Sequence, residues 1–125
     1  MADEHFPSLD VQGAMVRTRR EGSILKVMMT GSVESRDAGA VFDAYWTSLD
    51  EAVRSGGLEL IEFDLTGVDF MNSSGILTLV RWMTHLRAHP AYQIAIRHDR
   101  DLTWQKTNVP VLAKLAPNVV RISES

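Results

Sequence analysis

Residues 58–86 read LELIEFDLTGVDFMNSSGILTLVRWMTHL and contain two hydrophobic patterns in succession. The run 60–65 is apolar and rich in strand-favouring residues, and the Thr-Gly pair at 66–67 is expected to end it. From Ile76 onwards, apolar residues recur at helical spacing. The stretch therefore predicts a buried strand, a short loop and an amphipathic helix.

The first turn of this helix is predicted to consist of Asn72, Ser73, Ser74 and Gly75. Asn72 or Ser73 is the expected N-cap, because a short polar side chain there accepts a hydrogen bond from an unpaired backbone N–H one turn later. Unpaired N–H groups and the positive end of the helix dipole both favour negative charge at this position. These residues are therefore a candidate site for an anion or a phosphoryl group.

The segment VDFMNSSGI, residues 68–76, resembles the D-[ST]-[ST]-G-[LIV] motif of STAS domains, the fold of bacterial anti-sigma factor antagonists. The resemblance extends, through the order of the predicted elements, over roughly residues 14–122. In that family the first hydroxyl residue of the pair is the target of a partner kinase. The resemblance therefore implies phosphorylation of Ser73, with Ser74 as the weaker candidate.

The chain departs from the family pattern in two places. Asn72 stands where the family has an acidic residue, and the closing C-terminal helix of many members has no counterpart after Ile122. Trp104, at the start of the third predicted helix, is expected to be partly exposed and to contact a partner, with a lid over the core edge as the alternative. The other predicted partner contacts are Met71, Asn72, Ser73, Ser74, Gly75 and Ile76.

Composition narrows the class of protein. The chain has 125 residues, of which 45% are hydrophobic and 23% charged, as in an ordinary single globular domain. Its net charge of −3 gives no general attraction to nucleic acid. It contains no cysteine, which excludes disulfides and thiolate chemistry. No apolar stretch approaches membrane length and the N-terminus lacks a signal core, so we expect a cytoplasmic protein without membrane insertion.

The predicted elements and their faces indicate the architecture. Residues 1–13 are expected to form a tail and residues 14–125 the domain. One face of the predicted strands is apolar and the other is mixed and charged, which places the helices on a single face. We therefore predict an α/β fold with a mixed, mostly parallel sheet of about five strands, an N-terminal β-hairpin and three helices mainly on one face. The predicted strands are 15–20, 24–30, 60–65, 92–97 and 119–122, and the helices are 38–55, one ending at 89–90, and one from 103 interrupted near 110.

The open face of this sheet includes the apolar residues Ile24, Met28 and Leu60. An uncovered apolar patch of several hundred Å² is uncommon on a soluble monomer. We therefore expect either a second copy of the chain, in a homodimer, or the N-terminal tail to cover it. The tail residues concerned are Phe6, Leu9 and Val11.

Catalytic and metal signals are weak. His85 and His89 stand four apart and could share a metal ion, but spacing supplies no third ligand, so no metal site is predicted. The serine pair lacks the G-x-S-x-G elbow of a hydrolase, and the chain has no phosphate-cradling glycine loop. We accordingly predict no cofactor and no enzymatic activity.

The motif and the helix N-terminus together predict a non-enzymatic regulatory phospho-switch. By resemblance, the surface around Ser73 docks onto an anti-sigma factor that is also a serine kinase, and phosphorylation releases it; a matching phosphatase would reverse the modification. Phosphorylation adds about −1.5 to −2 charges at pH 7. The alternatives are an unphosphorylated STAS scaffold subunit of a transporter or signalling complex, and a small-ligand or nucleotide sensor. A phosphatase substrate that controls a diguanylate cyclase would be a further member of the switch class.

Overall fold

Alternating apolar residues build a six-stranded sheet in the computed structural model, which describes residues 6–11 and 13–123. The spatial order of the strands follows their order along the chain. The strands are β1 (Leu9–Val11), β2 (Ala14–Glu21), β3 (Ile24–Val33), β4 (Leu60–Met71), β5 (Gln93–Arg97) and β6 (Val120–Ser123). The helices are α1 (Ala38–Gly56), α2 (Ser73–Ala88) and α3 (Thr103–Leu115).

The pairing confirms the predicted fold class. β1, β2 and β3 are antiparallel neighbours, and β3 to β6 are parallel neighbours. The three helices pack on one face, where the buried strand residues alternate with exposed ones along each strand. Successive right-handed crossovers in one direction give this one-sided arrangement. The sheet has one strand more than predicted, and the additional strand is β1.

The core is closed by aromatic contacts between α1 and α2. The Trp46 and Trp82 rings stack with centroids 4.8 Å apart and planes 8° apart. Trp46 Nε1 donates to Thr78 Oγ1 at 2.9 Å, so the buried indole nitrogen is satisfied. Both rings also contact Phe63 of β4. The two helices are therefore held in register above the centre of the sheet.

Several helix boundaries differ in detail from the prediction. The prediction ended α1 at residue 55, whereas the helix extends to Gly56, with Gly57 as the C-cap at φ +66°. Asp37 occupies the N-cap position of α1 without a side-chain cap hydrogen bond. α3 begins at Thr103, as predicted, and Leu102 is its N-cap. The predicted interruption is wrong, because α3 continues through Pro110. No helix in the described part of the chain is long and apolar enough to cross a membrane.

β4 is twice as long as the predicted strand. The Thr-Gly pair at 66–67 does not end it, and pairing with β3 continues to Met71 through two irregularities in register. A Cβ on Gly67 would lie 2.8 Å from Thr30 Cγ2, so the glycine lets the two strands stay paired past the irregularity. The predicted loop between strand and helix is reduced to Asn72 alone.

Part of the predicted N-terminal tail belongs to the sheet. Leu9 lies opposite Val16, whose side chain is buried under the helices, and Tyr45 Oη donates to the Pro7 carbonyl at 2.6 Å. The tail residues that pack against the core are Phe6, Leu9 and Val11. They lie on the helix-covered side, so the expectation that they cover the open face is wrong. Met28 stays 53% exposed there, and cover by a second copy remains a prediction.

Gly13, just before β2, contacts β3 at Gly31 and Ser32. Gly31 has φ +100°, and a Cβ there would lie 2.1 Å from the Gly13 carbonyl oxygen. Gly22, in the β2–β3 turn, has φ +64° and nothing within 4 Å of its ideal Cβ position. An alanine at either position would be strained by the positive φ. At position 31 it would also clash with the backbone of Gly13.

We expect Gly31→Ala to lower the free energy of unfolding by about 2–4 kcal/mol, because left-handed strain and overpacking add. The control Gly22→Ala should cost only ~1–2 kcal/mol, from the strain alone. Urea unfolding of both variants measures the difference. Equal losses would show that Gly13 does not pack on Gly31 in solution.

Candidate functional site

The N-terminus of α2 is capped by Asn72. Its backbone is extended, with φ −73° and ψ 170°, and its Oδ1 accepts a hydrogen bond from the Gly75 N–H at 2.9 Å. Its own N–H donates to the Val33 carbonyl at 2.9 Å, which completes the pairing of β3 with β4. Of the two predicted N-caps, Asn72 is therefore correct and Ser73 is not.

The same side chain makes a second, long-range contact. Asn72 Nδ2 donates to the Ser35 carbonyl at 3.0 Å, across 37 positions of sequence. Ser35 lies in the β3–α1 loop, where its carbonyl also accepts from the Ala38 N–H at 3.2 Å. The amide of Asn72 thus joins the start of α2 to the start of α1. We call the Asn72–Ser35 hydrogen bond the latch.

The two serines of the motif differ in exposure. Ser73 is exposed, whereas Ser74 is half-buried and its Oγ faces α1, where a Cβ on Gly39 would lie 3.0 Å from it. Among the described residues, no acceptor is found for the backbone N–H of Ser73 or Ser74. Both N–H groups are therefore available to a negative group at the helix N-terminus.

Two of the predicted partner contacts are buried. Met71 is 2% exposed, and a Cβ on Gly75 would lie 2.8 Å from Met71 Cγ and 3.0 Å from Val33 Cγ1. Both residues therefore pack the first turn of α2 onto the sheet, and their burial argues against the predicted partner contact. Asn72 and Ile76 are half-buried and keep accessible surface beside Ser73.

Trp104 is also buried, so the prediction that it is partly exposed is wrong. It is 8% exposed, and its Nε1 donates to the Val68 carbonyl at 2.9 Å. The next residue, Gln105, is fully buried and donates through Nε2 to the carbonyls of Leu65 and Val68 at 2.6 and 2.9 Å. Leu65 and Val68 lie beyond Asp64, the last residue of β4 that pairs with β5, and their carbonyls accept from these two side chains. The burial of Trp104 agrees with the alternative prediction, a lid over the core edge.

Exposed apolar side chains near Ser73 were missed by the sequence analysis. Leu77 is 46% exposed and lies one turn after Ser73 on the same side of α2. Val41 on α1 is 39% exposed, whereas Phe70, which is 46% exposed, lies on the open face of the sheet because its neighbour Met71 is buried under the helices. The signal for Leu77 was present, since it falls outside the apolar stripe of α2. We call Ser73, Ile76 and Leu77 the Ser73 surface.

A groove of about 530 Å³ lies on the α1 side of the latch. Its floor includes Phe42 and Val33, and its rim carries the carboxylates of Glu34 and Asp37. Val41 lines it as well, so exposed apolar surface continues from the β3–α1 loop along α1. The latch therefore lies between an apolar groove with an acidic rim and the Ser73 surface.

A second groove, between α1 and α2, contains a satisfied polar network. The buried Asp50 carboxylate accepts from Arg54 Nε at 2.9 Å and from Tyr92 Oη at 2.6 Å. Trp82 Nε1 donates to Tyr92 Oη at 2.9 Å. Burial, and then the hydrogen bond to Asp50, raises the pKa of Tyr92 above its ordinary value, so the phenol stays protonated. We assign this network to helix packing.

The histidine pair gives no metal centre. The His85 and His89 rings lie 4.9 Å apart, and His85 Nε2 is 3.7 Å from an Asp50 oxygen. Within residues 6–11 and 13–123, no group of three or more His, Cys, Asp or Glu side chains could hold a metal ion.

Solved structures with this arrangement of strands and helices identify the fold. An anti-sigma factor antagonist from Mycobacterium paratuberculosis superposes with a TM-score of 0.61 and 16% identity, covering 90% of this chain and 86% of that one. The chain has the fold of anti-sigma factor antagonists. SpoIIAA, an anti-sigma factor antagonist solved in its unphosphorylated form, gives a TM-score of 0.52 and 12% identity, covering 88% of this chain and 89% of its own. No family model and no curated protein sequence matches the chain.

The double role of Asn72 predicts the effect of an aspartate there. Asn72→Asp keeps the capping oxygen but loses the latch donor, at a cost of ~0.5–1.5 kcal/mol. The added charge at the helix N-terminus offsets ~0.3–1 kcal/mol. Because a carboxylate oxygen would also face the Ser35 carbonyl, we expect a net loss of stability, opposite to the small gain that the dipole alone predicts.

Thermal melts at low salt test this expectation. Asn72→Ala, which removes both the cap and the latch, should melt lowest, with a loss of about 1–3 kcal/mol. A melting temperature of Asn72→Asp above that of the parent would contradict the latch.

Proposed function

We propose that this protein is a non-enzymatic regulatory switch, phosphorylated on Ser73, that binds a protein partner through the Ser73 surface. The observation that carries the proposal is the position of Ser73: it is exposed in the first turn of α2, and the exposed side chain of Leu77 lies one turn later on the same side of the helix. An interface core of apolar side chains around one hydroxyl suits a contact that a phosphate can break. Ser74 is the poorer substrate, because it faces α1.

The modification would act through charge. A kinase would transfer the terminal phosphoryl group of a nucleoside triphosphate to Ser73 Oγ; the O–H bond breaks, an O–P bond forms, the nucleoside diphosphate leaves, and the proton passes to a base of the kinase or to water. The α2 N-terminus accommodates the resulting negative charge. An interface with the apolar side chains of Ile76 and Leu77 does not, because the phosphate would have to be desolvated there.

The fold supports a proposal for the partner class. The structural neighbours are anti-sigma factor antagonists, and we propose the same role here, with an anti-sigma factor that is also a serine kinase as the partner and a phosphatase as the resetting enzyme. The protein would then take part in the control of transcription in the bacterial cytoplasm. A scaffold or ligand-sensor role would leave Ser73 unmodified.

Substitutions at Ser73 separate a switch from a structural serine. Because Asn72 is the cap, Ser73→Ala should change stability by no more than about 0.5 kcal/mol, as a surface substitution. It should bind the partner as the parent does and should not be released by the kinase reaction. Ser73→Asp should keep the fold but bind at least about tenfold more weakly, a change of ~1.4 kcal/mol.

The partner is first isolated with two baits, the unmodified protein and a protein with genetically encoded phosphoserine at position 73. A partner retained by the unmodified bait alone is then titrated by calorimetry against each Ser73 variant, with Ser74→Ala as the control. Equal binding of Ser73→Asp and the parent would exclude the switch.

The apolar part of the Ser73 surface can be tested without the modification. Leu77→Glu should weaken partner binding by about 1–3 kcal/mol, because it places a charge at the centre of the proposed contact. Val111→Glu is the matched control: Val111 is 56% exposed on α3, away from Ser73. Both variants should melt near the parent. Equal effects of the two substitutions on binding would place the interface elsewhere.

A further inference from the structure

The latch brings one basic residue to the N-terminus of α2. Arg36 follows Ser35 directly, and the Ser35 carbonyl accepts from Asn72 Nδ2 at 3.0 Å. Because a carbonyl oxygen lies about 3 Å from the next Cα, the Arg36 Cα is within roughly 6 Å of the Asn72 amide. Ser73 is the next residue after Asn72. The long, flexible side chain of Arg36 can therefore reach a group attached to Ser73.

The backbone holds Arg36 at this place, whereas its side chain has no ion-pair partner among the described residues. It is exposed in the turn before α1, where Ser35 Oγ accepts from the Asp37 N–H at 3.2 Å. Within residues 6–11 and 13–123, its guanidinium forms no ion pair, although Glu34 and Asp37 flank it. Because the Arg36 guanidinium is not paired with Glu34 or Asp37, it can bind an anion of higher charge, such as a phosphate.

Other cations are less suited to that role. Arg81, two turns along α2 from Ser73, already pairs with Asp43 at 2.7 Å. Arg97 is the last residue of β5 and Arg100 follows that strand, which pairs with residues 60–64 of β4 and so ends well before Met71, the last residue of β4. Of these four arginines, Arg36 is the one that the fold brings to the N-terminus of α2 without an ion-pair partner.

We propose that Arg36 is the internal counter-ion of a phosphate on Ser73, a role that rests on the proposed phosphorylation. The phosphate would take a bidentate hydrogen bond from the guanidinium, and further bonds from the N–H groups of Ser73 and Ser74. The arrangement holds the dianion against the protein and draws the β3–α1 loop toward α2. Phosphorylation then changes the groove beside the latch as well as the Ser73 surface.

The counter-ion has a measurable signature, because a nearby positive charge favours the dianion and lowers the second pKa of the phosphate from its usual value of about 6. The protein is prepared with genetically encoded phosphoserine at position 73, and the pKa is read from a ³¹P NMR titration. Arg36→Gln removes the guanidinium from an exposed turn. Arg100→Gln removes the same charge from the β5–α3 connection.

We expect Arg36→Gln to raise the phosphate pKa by roughly 0.5, and Arg100→Gln by about 0.1 or less. The Arg36 Nε–H resonance should move with the phosphate titration in the parent. An equal rise in the two variants, or none in either, would overturn the assignment. The measurement uses no kinase and no partner, so its outcome is independent of whether Ser73 is modified in the cell. The proposed function fails separately, through the Ser73→Asp binding experiment.

Discussion

One side-chain amide holds the candidate site together. Asn72 uses its oxygen to cap α2 and its nitrogen to hold the β3–α1 loop, while its backbone N–H completes the last β3–β4 contact. Because Asn72 caps the helix, the Ser73 hydroxyl is not needed as a cap and can stay exposed. A carboxylate at position 72 could perform the first task but not the second, because it has no donor. An asparagine at position 72 is therefore explained by the tertiary contact with Ser35 more than by helix capping.

The segment from Met71 to Gly75 combines residues with opposite roles. Met71 and Gly75 are buried and let the first turn of α2 lie directly on β3 and β4, whereas Ser73 faces solvent. A rigid helix start with an exposed hydroxyl is what a modification site needs, because the unmodified and modified surfaces then differ in charge rather than in fold. Because β3 and β4 are adjacent and parallel, the helices that follow them, α1 and α2, start at the same end of the sheet.

Sequence periodicity was reliable where burial is local. The alternation in β3 and the helical stripe of α2 each reflect a single buried face, so element type and order could be predicted. The errors came from long-range partners. Gly67 locally predicts the end of a strand, but in the structure it allows β3 and β4 to stay paired. Trp104 is buried because its indole nitrogen donates to a carbonyl of β4. Leu9 joins the sheet because β2 offers it a free edge.

The sequence by itself determined the one-sided α/β architecture, the start of α2 and the pair of serines at that start, because each depends on hydrophobic spacing or capping chemistry within a few residues. Only the tertiary structure decided which serine is exposed, since Gly39 of α1 faces Ser74. It alone placed Arg36 beside Ser73, through a hydrogen bond that spans 37 positions. Contacts over such distances depend on how the helices pack on the sheet, and no local pattern encodes that packing.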